Sequence, residues 1–145
     1  MGTQQLLLIV LGIIIVGVAV FIAILLFKGN SQSANRDAIT ADLENLATIA
    51  QQYYRKPTTL AGGGYNYLGF NIIGLDTGNE DGSYSIAATQ PSGPDYTPGN
   101  TDPINTSTQT IFLLGCGKEI GNDETNPVKI FMEVTQDSLS AYVLN

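Results

Sequence analysis

Residues 6–27 contain only Leu, Ile, Val, Phe, Ala and two glycines, Gly12 and Gly17. As a helix these 22 residues extend about 33 Å, close to the roughly 30 Å hydrocarbon core of a bilayer. Eighteen of them are Leu, Ile, Val or Phe, which together favour insertion by roughly 5–11 kcal/mol. A helix apolar on every side has to be surrounded by lipid or by other protein. Farther on the pattern changes. Ile39, Leu43, Leu46, Ala50 and Tyr53 recur at spacings of 4, 3, 4 and 3, which predicts one apolar stripe on an amphipathic helix. Asp37, Glu44, Gln51 and Arg55 are predicted to lie on its other side. Pro57 should end the helix, since the residue before a proline disfavours helical geometry. Gly29-Asn30-Ser31 is a soft spot. Either residues 3–56 form one rod of roughly 80 Å, or the rod breaks and Ser31 or Ser33 caps a second helix. A continuous or locally loosened helix is the preferred expectation.

Beyond Pro57 the period shifts from helical to alternating. Residues 82–89 place Tyr84, Ile86 and Ala88 on one face, and "TIFLLG" (110–115) is a β-favouring run. Val128, Ile130, Met132 and Val134 alternate with Lys129, Phe131, Glu133 and Thr135. After a short turn at 136–138, Leu139, Ala141 and Val143 alternate again. Such strands with short turns predict an antiparallel meander with one face buried. The stripe of residues 39–53 is its natural cover. Stretches 60–66, 76–82, 89–108 and 117–127 read as turns and loops, and 89–108 is long for a compact domain. The fold expected is therefore α+β, in three parts: a hydrophobic helix at 1–27, its amphipathic continuation at 28–56, and an antiparallel sheet head with long surface loops at 57–145.

Charge sharpens this division. Residues 1–27 carry no charged side chain, whereas residues 57–145 hold Lys118 and Lys129 against ten acidic residues. So acidic a body cannot supply the phosphate contacts on which nucleic-acid affinity rests. With no His and the single Cys116, the usual zinc ligand sets, His-based triads and an intrachain disulfide are all excluded. No pair of acids is flanked by residues that suggest a pocket, so neither catalysis nor a cofactor is expected. A cleaved signal peptide is not expected either, because "MGTQQ" lacks Lys and Arg and the apolar run is too long.

The layout resembles type IV pilins: an uncharged apolar N-terminal stretch, "MGTQQLLLIVLGIIIVGVAVFIAILLF", an amphipathic helix continuing it, then a small antiparallel sheet. The resemblance implies a helix whose first half is a membrane span before assembly and a filament core afterwards. It implies a homopolymer, with the lipid bilayer and an assembly machinery as further partners, moving from the inner membrane to an extracellular filament. The polymerisation interface it implies comprises Gln5, Leu6, Leu7, Leu11, Gly12, Ile15, Gly17, Phe21 and Leu25. Gly12, Gly17, Ala19 and Ala23 would let helices approach closely. Counted from Met1, the fifth position holds Gln5, where the family usually has a Glu that pairs with a neighbour's N-terminal amine. Gln5 accepts a hydrogen bond but brings no charge. Cys116 alone cannot form the C-terminal disulfide loop of many members. The competing expectation is a membrane-anchored domain that does not polymerise, such as a secretion-system pseudopilin or a surface adhesin or sensor module.

Other candidate sites carry weaker signals. Asp76, Asn79, Glu80 and Asp81, and again Asn122, Asp123 and Glu124, gather oxygen atoms without EF-hand spacing, so solvated turns rather than calcium sites are expected. Cys116, between two glycines after an apolar run, is expected to be a buried, inert thiol. The seven tyrosines (53, 54, 65, 67, 84, 96 and 142) are expected to serve packing and surface contact. Asn105-Thr106-Ser107 fits the N-glycosylation acceptor pattern.

Overall fold

The computed structural model describes residues 2–72, 77–93 and 103–145. One helix, α1 (Thr3–Arg55), runs without interruption through Gly29. A single helical glycine costs only about 1 kcal/mol relative to alanine, too little to break a rod of 53 residues. Ser31 and Ser33 are accordingly helical and cap nothing. The helix stops at Lys56, whose N–H is shared by the carbonyls of Gln52 and Tyr53, and Pro57 follows.

The chain then folds back over the helix end through one 3-10 turn (Thr58–Leu60). Gly63 N–H donates to Tyr53 O at 2.8 Å, Gly64 N–H to Lys56 O at 2.9 Å and Tyr65 N–H to Tyr54 O at 2.8 Å. Carbonyls that a helix C-terminus leaves unpaired are thereby satisfied. The run of glycines is what allows it: a Cβ at Gly62 would overlap Lys56, one at Gly63 would overlap Asn66 O, and Gly64 has φ of 59°.

Four strands follow: β1 (Gly82–Ala87), β2 (Ile111–Ile120), β3 (Pro127–Val134) and β4 (Leu139–Val143). They form one antiparallel sheet in chain order, so the expected α+β class and meander are both found. β2 is longer than its sequence suggests. Gly117 and the charged Lys118 and Glu119 read as the start of a loop, yet Gly117 pairs with Gly82 and Ile120 pairs with Pro127. Helix side chains complete this stretch: Gln32 Nε2 donates to Ile120 O at 2.6 Å, and Asn35 Oδ1 accepts from Glu119 N–H at 3.4 Å. Gly115 and Gly117 serve packing. A Cβ at Gly115 would overlap Ile39, and one at Gly117 would overlap Asn35.

The helix lies on one face of the sheet. Ile39, Leu43, Leu46, Ala47, Ala50 and Tyr54 form a single core with Tyr84, Ile86, Ile111, Leu113, Val128, Ile130, Met132 and Val134. The stripe therefore packs where its period predicts, with one change at its end. Tyr54, not Tyr53, is buried; Tyr53 lies at the rim against Phe70, and its hydroxyl donates to Leu68 O at 2.7 Å. Gln51 and Arg55 also depart from expectation. Instead of facing away, Gln51 Nε2 donates to Thr135 O at 3.0 Å and Arg55 reaches Gln136 O and Asp137.

Burial on the sheet departs from simple alternation as well. Leu139, Ala141 and Val143 align with Val134, Met132 and Ile130 on the helix-side face, but all three are exposed. A helix about 10 Å across cannot cover four strands spaced about 4.8 Å apart. β4 meets the helix only at its margin. On the opposite face Phe112, Leu114 and Phe131 make a small second cluster, and Phe131 stacks on Tyr142 at 4.8 Å.

Candidate functional site

The most conspicuous feature is the N-terminal half of α1, which no other part of the described chain covers. Every residue from Gly2 to Asn30 is exposed, including Leu6 at 65%, Ile15 at 59% and Phe27 at 76%. The most apolar 18-residue window of the helix has a mean hydropathy of 3.4 and no buried residue, long and apolar enough to cross a membrane. The expected interface residues all stand on this free half. With about 100° between successive residues, Leu7, Leu11, Ile15 and Leu25 share one side. Gln5 and Gly12 project from another, and Leu6 and Gly17 from a third. They form no single seam but wrap the helix. A Cβ added at Gly12 or Gly17 would meet nothing within 4 Å.

At the N-terminus, Gly2 occupies the cap position without a side-chain hydrogen bond, and the first turn has no acidic residue. Gln5 N–H donates to Gly2 O at 3.0 Å, and Gln5 is exposed on the first turn. Met1 lies outside the described residues. The positive end of the helix dipole is thus unmatched by any nearby anion of its own chain among the described residues.

The free half joins the head at Lys28. Its ammonium lies 3.5 Å from Glu124 in the β2–β3 loop, both side chains being solvent-exposed. Above it an open groove of about 650 Å³ runs between α1 and the end of β2, lined by Ala23, Ile24, Phe27, Lys28, Ser31 and Glu119. The β2–β3 loop is stiffened by Asp123, whose carboxylate accepts from Thr125 N–H, Asn126 N–H and Asn126 Nδ2. Those bonds hold the Asp123 carboxyl down at about 2.

Helix and head are locked by polar contacts that periodicity does not reveal. Asp42 Oδ2 accepts from the Tyr84 hydroxyl and from Asn79 Nδ2. Asn35 Nδ2 donates to Asp81 O at 2.9 Å. Asn35 and Asp42 are seven residues apart, two helical turns, and so address the same sheet corner. That spacing was the available signal. Arg36 Nη2 donates to Asn145 O at 2.7 Å, while Arg36 Nε is buried without a hydrogen-bond partner. Burial pushes the Tyr67 hydroxyl up to about 12, with Tyr54 adding to it, and this hydroxyl also has no partner. Tyr84 is raised by burial first and by its bond to Asp42 second.

The remaining candidates resolve individually. Asn79 Oδ1 accepts from Asp81 N–H and Gly82 N–H, so its side chain closes the turn and does not open toward an ion. Asp76 lies outside the described residues. Among the described residues no three acidic or thiol groups converge. Cys116 is half-buried, not fully buried as expected, and burial raises its thiol pKa against the opposing effect of Lys129. Of the tyrosines, Tyr53, Tyr54, Tyr65 and Tyr67 gather with Phe70 around the helix end, whereas Tyr96 lies outside the described residues. Asn105 is exposed.

A scan against protein-family models, a search of curated proteins and a search of solved structures each find no match. What stands on geometry alone is a long apolar N-terminal helix and a small antiparallel sheet, an arrangement compatible with a pilin-like fold.

Proposed function

We propose that this chain is the structural subunit of an extracellular type IV pilus-like filament, held in the inner membrane before assembly and polymerising through residues 1–27. One observation carries the reading. The head packs on the second half of the helix, its core between Ile39 and Tyr54, and leaves every residue from Gly2 to Asn30 exposed. Eighteen large aliphatic or aromatic side chains between Leu6 and Phe27 cannot stay in water, at about 25 cal/mol for each Å² of apolar surface. They need lipid at one stage and neighbouring helices at another. The absence of charge from residues 1–27 suits both surroundings, because an unpaired charge would be costly in either. No catalytic step, cofactor or metal enters this reading.

The test compares the full chain with residues 28–145. Cells making the full chain should release filaments on shearing, visible by negative-stain microscopy, whereas residues 28–145 should be soluble and monomeric. Filaments formed by the truncated chain would refute the proposal. Full-length protein that stays in the membrane fraction and yields no filament would favour the anchored, non-polymerising domain.

A further inference from the structure

We infer that Asn105 is an acceptor for N-linked glycan, transferred from a lipid-linked oligosaccharide to the tip of the head. Asn105 is the only asparagine of the chain followed two residues later by Ser or Thr, the spacing the acceptor motif requires. The structure adds what the motif alone lacks. Residues 105–107 form an exposed arch between two pinned residues. On one side Ile104 is buried, its N–H donating to Phe70 O at 2.9 Å and its carbonyl accepting from Gly69 N–H at 2.8 Å. On the other side Thr108 N–H donates to Asn66 Oδ1 at 3.1 Å, and Thr108 O accepts from Tyr67 N–H at 3.0 Å.

Asn35, Asn66, Asn79, Asn126 and Asn145 spend their side-chain amides on fixed hydrogen bonds. Among the described residues Asn105, like Asn30, Asn45, Asn71 and Asn122, leaves its amide free of such bonds, and of these only Asn105 carries the acceptor spacing. Ser107 Oγ accepts from Asn66 Nδ2, which orients the hydroxyl and leaves its own proton available. The arch is anchored to residues 66–70, which sit against the C-terminal end of α1 through Tyr53 and Tyr54. Tyr53 is 26 residues beyond Phe27, or about 39 Å along the helix. A sugar there is held that far from the apolar half.

In the transfer, Asn105 Nδ2 forms a bond to the anomeric carbon of the oligosaccharide as that carbon's bond to phosphate oxygen breaks. The polyprenyl phosphate or diphosphate leaves with the electron pair, and an amide proton passes to the transferase and then to solvent. The inference requires the head to face the outer side of the membrane, which the filament and the anchored domain share. It therefore stands or falls independently of polymerisation.

The test is mass spectrometry of the full chain isolated from its own source cells, from both the membrane and the sheared fractions. The peptide containing Asn105 should carry a mass increment divisible into sugar residues. Asn105→Gln and Ser107→Ala should each lower occupancy at least tenfold, while Ser107→Thr should keep it. Circular dichroism of Asn105→Gln should match the parent, since that amide holds nothing in place. An unmodified peptide in both fractions, or an increment that survives Asn105→Gln, would overturn the inference.

Discussion

Replacing Gly115 by alanine puts a methyl group where α1 rests directly on the sheet. The new Cβ would overlap Ile39 Cγ2 and lie 3.3 Å from Leu43 Cδ1. Leu43 can swing its terminal methyl aside. Ile39 cannot, because a β-branched side chain in a helix is held almost entirely to one χ1 rotamer and this one is completely buried. The helix must lift or β2 must bend, and overpacking of this kind costs about 1–3 kcal/mol. At roughly 2–8 °C per kcal/mol for a domain of this size, the melting temperature should fall by about 2–24 °C. Ile39→Ala alone removes a buried side chain and should cost about 2–5 kcal/mol. In the double variant the added methyl occupies space that Ile39 has vacated. The cost of the double variant should therefore fall short of the sum of the two single costs by at least about 0.5 kcal/mol. Urea unfolding of the full chain in detergent micelles, followed by near-ultraviolet circular dichroism of the buried Tyr54, Tyr67 and Tyr84, reads this directly. Strict additivity of the two substitutions would refute the seating of α1 on Gly115.

Leu46→Ala, at a site 4% exposed, should cost about 2–5 kcal/mol in the same assay; a cost below about 0.5 kcal/mol would mean the stripe faces elsewhere. Tyr67 and Tyr84 both have raised pKa values in the folded chain, so the unfolded chain loses these protons first. Stability should hold below pH about 10 and fall as pH rises from there toward about 12, by up to about 1.4 kcal/mol per pH unit for each tyrosine; a flat alkaline profile would contradict their burial. Lys28→Gln breaks only the exposed pair with Glu124 and should change stability by less than about 0.5 kcal/mol. Gln5→Leu should reduce filament yield and Gln5→Glu should be tolerated, because only the second keeps an acceptor for a neighbour's ammonium. Filament counts from sheared cells decide this, and full assembly of Gln5→Leu with failure of Gln5→Glu would remove any pairing role for the position.

Much of the architecture is legible in one dimension because it depends on period and composition. A 22-residue uncharged run, a stripe at spacings of 4 and 3, and alternating Val128, Ile130, Met132 and Val134 each specify which side must leave water. Those faces are the ones found exposed together or buried together. The candidate interface was legible for the same reason, as a stretch that the head leaves uncovered. The acceptor motif at Asn105 was legible as a spacing, but its presentation was not, because Ile104 and Thr108 are pinned by the backbone of Tyr67, Gly69 and Phe70 and the side chain of Asn66, 34–42 residues earlier in the chain.

Other outcomes were decided by contacts between segments far apart in sequence. Gly117 looks like a turn residue, yet it lies within a strand, where Asn35 and Ile39 press on it from a helix some 80 residues away. Tyr54 replaces Tyr53 in the core because the returning loop lays Tyr65 and Tyr67 beside it. Gln51 and Arg55 turn toward the sheet because the β3–β4 turn offers the carbonyls of Thr135 and Gln136. Leu139, Ala141 and Val143 alternate as a buried strand would, and still face solvent, since one helix is too narrow to cover the fourth strand. Local pattern determines which residues seek cover. Only the widths and distances of the assembled elements decide which of them find it.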